Sequence, residues 1–224
     1  EKYLHDSVVK SVAYDYESLR QRDCYNAHSI IGAFLENRAV CEGIAKAFKL
    51  LCNAYAIKCI VVLGKADPGG QFTGDCYHAW NLVKVQNQSY HVDPTWDNLF
   101  DRGVGPVSYD YFNVTTADIQ KDHQPIGDLP YCSAVGLNYF HATKSIVRTF
   151  QELVDLICRR VDASLVTFKA DSSMGEFLTA ETLHQQTAQA VGCAFQKLGR
   201  GRTCALAFND MHRIGKIFFD PPEA

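Results

Sequence analysis

Three residues of this 224-residue chain have the types and the order that thiol chemistry requires: Cys41 in "CEGIAKAFKLL", His78 in "CYHAWNLVKV" and Asp93 in "SYHVDPTWDN". A cysteine attacks as its thiolate, and a free thiol ionises only near about 8.5. An imidazole can take that proton and later return it to a leaving amine. A carboxylate behind the imidazole fixes its tautomer and orientation. Taken alone, a helix-opening cysteine is more often structural. The three residues together point to a nucleophile, an acid/base and an orienting group.

Each must then be positioned by its element. From Cys41 onward, Ile44, Ala47, Phe48, Leu51, Cys52 and Tyr55 fall on one stripe at helical spacing, which predicts a helix over 41–55. Cys41 sits in its first turn, where unpaired backbone N–H groups and the positive dipole end favour a thiolate. The same N–H groups could hold an oxyanion, and Gly43 keeps the mouth uncrowded. "KCIVVLG" (58–64), "CYHAWNLVKV" and "SYHVD" read as strands, the last two joined around "QNQ". Side chains alternate along a strand, so His78 and Asp93 share a face only if the connecting loop holds an even number of residues. A two-residue loop at Gln86–Asn87 pairs Val85 with Gln88 and sets Asp93 opposite Trp80, diagonal to His78. Diagonal neighbours lie roughly 7–8 Å apart, within reach of a side-chain hydrogen bond.

The flanking residues admit two readings each. Trp80 and Trp96 could wall the site against water and grip substrate, or be plain aromatic packing. His28 could line the site or be a hydrogen-bonded structural residue. His91 shares a strand face with Asp93 and could stand in for His78, but the "HAW" context and strand geometry favour His78. Glu42 suits the helix dipole and Asn81 a structural place. Asp67, Asp75, Asp97 and Asp101 lack the close spacing of a calcium loop, so no metal is expected.

These blocks resemble the transglutaminase-like superfamily: "AVCEGIAKAFKLL", "HAWNLV" and "YHVDPTWD" are similar to its three signature blocks, nearest to bacterial members described as candidate cysteine proteases. The resemblance is clear over about residues 1–100 and faint from 130 onward. It implies an α+β fold, a papain-like core in which the catalytic helix packs on an antiparallel sheet. It implies Cys41 as nucleophile, His78 as acid/base and Asp93 as orienting residue, with Trp80, Trp96 and His28 as substrate-binding candidates. The implied reaction is acyl transfer through a thioester on protein or peptide amides, by a peptidase or amidase without a cofactor. The alternatives are a transamidase or deamidase acting on Gln, or a catalytically silent scaffold.

The rest of the chain bounds these readings. Hydrophobic residues make up 47% and charged residues 21%, with a formal charge of −3. That is ordinary globular chemistry, and no Lys/Arg run supports a nucleic-acid partner. No apolar run is long enough to cross a membrane. The chain opens on Glu1, so a missing preceding segment or a removed leader is expected. Nine cysteines without a close CxxC pair argue against zinc ribbons and disulfide scaffolds and lean toward a reducing, cytoplasmic compartment. The polar stretch "TTADIQKDHQPIGDLPYC" is expected to separate a catalytic core (1–129) from a C-terminal α/β accessory region (130–224). In the latter, "LNYFHA", "SLVTFKA", "RTCALAFND" and "RIGKIFF" read as strands, and 149–161 and 179–198 as helices.

Overall fold

The computed structural model describes residues 1–20, 24–74, 76–98, 106–171 and 179–220. Asp75 and Asp101 lie outside them. The chain divides into two compact units, Glu1–Tyr139 and Phe140–Ala224.

The first unit is an antiparallel sheet with its longest helix laid on one face. In chain order it contains α1 (Lys2–Ser11), β1 (Ala13–Tyr14), a π-helical turn (Gly32–Glu36), β2 (Arg38–Ala39) and α2 (Cys41–Ala54). Then follow β3 (Lys58–Ala66), β4 (Tyr77–Val85), β5 (Gln88–Val92), α3 (Thr116–Ile119) and β6 (His123–Pro125). The sheet runs β5–β4–β3–β6, every pair antiparallel, and β1 and β2 form a separate parallel pair. The apolar stripe of α2, with Ile44, Ala47, Phe48 and Cys52 fully buried, packs with α1 (Leu4, Val8) against Cys59, Val83, Tyr90 and Val92 of the sheet. Asn81 ties the layers: its Nδ2 donates to Ala45 O at 2.9 Å and to Ile60 O at 3.3 Å. The other face of β4 carries His78, Trp80 and Leu82, with Trp80 and Leu82 packed on Val62 and Cys132.

The hairpin has the register that even loop length requires. Val85 pairs with Gln88 and Asn81 with Val92. Gln86 and Asn87 both have positive φ (48° and 65°), as a type I′ turn demands. That is uncommon for glutamine, and the tertiary pairing imposes it.

The sequence places the seam at 129/130, whereas the units divide after Tyr139. The reason is packing: Ala134, Leu137 and Tyr139 lie against the first core. Cys132 is tied to Thr116: the Thr116 N–H donates to Cys132 O at 2.8 Å and the Cys132 N–H to Thr116 Oγ1 at 2.9 Å.

The second unit comprises α4 (Tyr139–Ala142, straddling the division), β7 (Ile146–Val147), α5 (Phe150–Arg160), β8 (Leu165–Ala170), α6 (Ala180–Leu198), β9 (Cys204–Asn209) and β10 (Ile214–Phe219). Its sheet runs β7–β8–β10–β9, and α5 and α6 bury Leu153, Ile157, Ala190 and Ala194 against Val166, Phe168 and Ile217. Thr149 caps α5, and Thr179 caps α6 in a reciprocal pair with Thr182. "LNYFHA" is a helical turn, not the strand its composition suggests. Its backbone closes on turn bonds, Asn138 N–H to Val135 O at 3.0 Å and Ser145 N–H to Phe140 O at 2.9 Å, and among the described residues no strand pairs with it.

Among the described residues no helix is long and apolar enough to cross a membrane.

Candidate active site

Cys41 is the first residue of α2 and is half-buried. The N-cap residue, Val40, makes no side-chain bond to the helix's leading N–H groups. Gly43 permits this placement. A Cβ there would stand 2.3 Å from Ala27 O and 2.9 Å from the Ala39 side chain, so the first turn lies directly on backbone.

His78 is buried at the start of β4, and Asp93 follows β5 with no exposed surface. The ring Nε2–H donates to Asp93 Oδ2 at 2.7 Å. The remaining nitrogen, Nδ1, is left for the Cys41 thiol, which hydrogen-bonds His78. Burial works against a charged ring here. Asp93, through its charge and hydrogen bond, and then Cys41 overcome it and push His78 up to about 10. Burial likewise opposes the Asp93 carboxylate, but His78 and His123 hold it well below the usual carboxylate range. Asp93 Oδ1 accepts from the backbone N–H of Thr95 (2.9 Å) and Trp96 (3.3 Å). Its own N–H donates to Tyr111 O.

Tyr14, brought beside Ala39 by the β1–β2 pair, places its hydroxyl against both the thiol and the backbone N–H of Cys41. A cavity of about 420 Å³ opens on His78 between Tyr14, Tyr16, Leu19, Thr95, Trp96 and Asn98.

Trp96 therefore lies at the cavity, with its ring 5.6 Å from His78. Trp80 has no exposed surface and stacks on the His78 ring at 6.2 Å and 17°, supporting it from within. Gly64, cross-strand from His78, makes room: a Cβ there would meet Trp80 Cη2 at 2.6 Å. His28 stands apart from the cavity lining. Its Nδ1 faces Glu42 Oε2 at 3.0 Å, and Lys46 Nζ, 2.7 Å from Glu42 Oε1, donates to the His28 carbonyl. His91 receives the Trp80 indole N–H on Nδ1 (3.2 Å), so its Nε2–H points to Thr116 Oγ1 (3.2 Å). Burial, then the neighbouring His123, lower it to about 4, so it stays neutral.

Two partners escaped the sequence reading. Asp97 is fully buried and meets His5 of α1 at 3.1 Å. Burial pushes its carboxyl up to about 7. His123 of β6 bonds Asp93 Oδ2 at 3.1 Å and Asp122 Oδ1 at 2.7 Å. It lies in a polar, turn-rich stretch whose three-residue strand leaves no periodic signal. The donor atoms of His78, Asp93 and His123 lie within 4.8 Å of one another. They already pair with each other and with Asp122, which makes the cluster a hydrogen-bonded relay.

Residues 1–94 match the model of the transglutaminase-like superfamily, and this part of the chain carries the transglutaminase-like fold of that class. That class associates the segment with cysteine-dependent enzymes. Among particular proteins, the chain is similar to the kyphoscoliosis peptidase of Mus musculus (27% identity over 128 residues) and of Homo sapiens (25% over 128 residues). Each match covers 53% of this chain and 19% of the relative, so the chain spans about a fifth of the proteins it matches. Among solved structures, a TGase matches at 20% identity with a TM-score of 0.37, over 42% of this chain and 25% of the other. A candidate cysteine protease from Cytophaga hutchinsonii matches at 20% identity with a TM-score of 0.34, over 42% and 30%.

Proposed function

We propose that the chain is a cysteine hydrolase of protein or peptide amides, with Cys41 as nucleophile, His78 as acid/base and Asp93 as orienting residue. One observation carries the reading. The buried Asp93 grips His78 by Nε2, which leaves Nδ1 to the thiol at the mouth of α2. In this scheme Nδ1 takes the Cys41 proton and the sulfur bonds to the amide carbonyl carbon. The oxyanion forms beside the Cys41 N–H and the Tyr14 hydroxyl. As it collapses, the C–N bond breaks and His78 protonates the departing amine, leaving a thioester. Water, deprotonated by His78, attacks the thioester; the acid departs and the thiol is restored. The peptidase name of the two mammalian relatives favours hydrolysis over transfer.

The test is alkylation by limiting iodoacetamide from pH 5 to 9 with the modified sites mapped, alongside peptide-amide hydrolysis. Cys41 should react first among the nine thiols at pH 6–7, and Cys41→Ser should abolish turnover. Uniform reactivity of all thiols would refute the assignment. A transamidase on Gln shares every step up to the thioester and differs only in its acceptor. It would reveal itself by incorporating a primary amine into a Gln peptide faster than it releases free acid.

A further inference from the structure

The geometry points to His123 as a positioning residue that sets the orientation and basicity of Asp93, and through Asp93 the proton-holding strength of His78. This rests on the triad reading above and extends it to a residue outside the matched segment.

Asp93 Oδ2 is shared. His78 Nε2 lies 2.7 Å from it and His123 Nε2 3.1 Å. A carboxylate held ionised can only accept, so both nitrogens donate. With Thr95 and Trp96 on Oδ1, four N–H groups surround one carboxylate that has no solvent contact. Three of the four orient it, but only His123 competes with His78 for the same oxygen. Each donor added to an acceptor weakens its pull on the others. His123 therefore limits how tightly Asp93 holds the His78 proton, and a base that holds its proton too tightly is a poor acid in the next step.

His123 is itself fixed from behind. Its Nδ1 meets Asp122 Oδ1 at 2.7 Å, and Asp122 Oδ2 accepts the Tyr111 hydroxyl at 2.8 Å. Trp96 (4.4 Å), Trp80 (5.1 Å), His78 (5.4 Å) and Tyr111 (5.4 Å) box the ring in. The titratable groups facing it are thus Asp93, Asp122, His78, His91 and Tyr111. His91 contributes no charge, because the Trp80 indole occupies its Nδ1. The chain of contacts runs Cys41, His78, Asp93, His123, Asp122, Tyr111, across five segments of the first unit.

The test compares His123→Leu, which removes the donor, with His123→Gln, whose amide nitrogen can replace Nε2. The primary readout is the low-field proton resonance of the His78 ring N–H in histidine-labelled protein, which needs no catalysis. In His123→Leu it should move downfield, and the pH at which His78 releases its proton should rise by about half to one unit. Amide turnover should fall about tenfold, while His123→Gln should restore both. Should His123→Leu not fold, Asp122→Asn loosens His123 from behind and should move the same resonance in the same direction, less far. An unmoved His78 resonance in whichever variant folds, or equal loss of stability in Leu and Gln variants with an unchanged titration, would reduce His123 to packing and overturn the proposal. The triad reading fails separately, by unselective alkylation of wild-type Cys41. A resonance that follows His123 would support the positioning role even then.

Discussion

Asp93→Asn tests the proposed acid/base system most directly, because it removes charge and almost no volume. His78 stands at about 10 against an ordinary 6.5. At about 1.4 kcal/mol per unit, that difference is roughly 4–5 kcal/mol in favour of the imidazolium. An adjacent carboxylate accounts for about 1–3 units of such a shift, so Asp93 supplies roughly 1.4–4 kcal/mol. The asparagine would keep the Thr95 and Trp96 bonds on its carbonyl oxygen. Its amide would turn N–H groups toward His78 and His123, and both rings would have to accept on Nε2. For His123 that is harmless, since Nδ1–H can face Asp122. For His78 it puts the proton on Nδ1, the nitrogen needed to deprotonate Cys41. We expect iodoacetamide alkylation of Cys41 at pH 6.5 to slow by about 10- to 1,000-fold, and hydrolysis to fall at least as far, with far-UV circular dichroism unchanged. A folded Asp93→Asn protein whose Cys41 reacts within about threefold of wild type would refute the reasoning.

Cys41→Ala should abolish hydrolysis while leaving the melting temperature within about 2 °C, since the half-buried thiol anchors no core contact. Tyr14→Phe removes a hydroxyl at the thiol mouth and should lower kcat about 100-fold with KM little changed, as loss of an oxyanion donor does; a KM effect alone would count against that role. Gly43→Ala drives a methyl into the Ala27 carbonyl and should cost about 1–3 kcal/mol in urea unfolding and slow Cys41 alkylation, because the helix mouth must shift. The His78 pKa is raised on folding, so its stabilising contribution is full below about pH 6.5 and fades as pH rises through about 10. Urea midpoints should fall across that window in wild type and lose this dependence in Asp93→Asn.

Much of the first unit was legible because its elements obey simple periods. The α2 stripe gave a helix ending within one residue of its expected end, and parity at Gln86–Asn87 put His78 and Asp93 on one face. Legibility stopped where contacts come from far along the chain. Nothing local marks His123, or distinguishes Asp97 among scattered acids, until α1 and β6 bring partners to them. Trp80 could be placed beside His78, but not known to lie beneath the ring with no open surface. The short run "LNYFHA" defeated pattern reading because six residues satisfy either period.

The matched family segment ends at residue 94, one position past Asp93, while the second histidine on that carboxylate enters from residue 123. Relatives sharing only the matched stretch would inherit the sulfur, the ring and the acid without this second grip on the acid. Homologues built that way should share the proposed reaction yet differ in the acidity range where they work. Divergence in the region downstream of the match would then retune the proposed acid/base system while leaving every signature block intact.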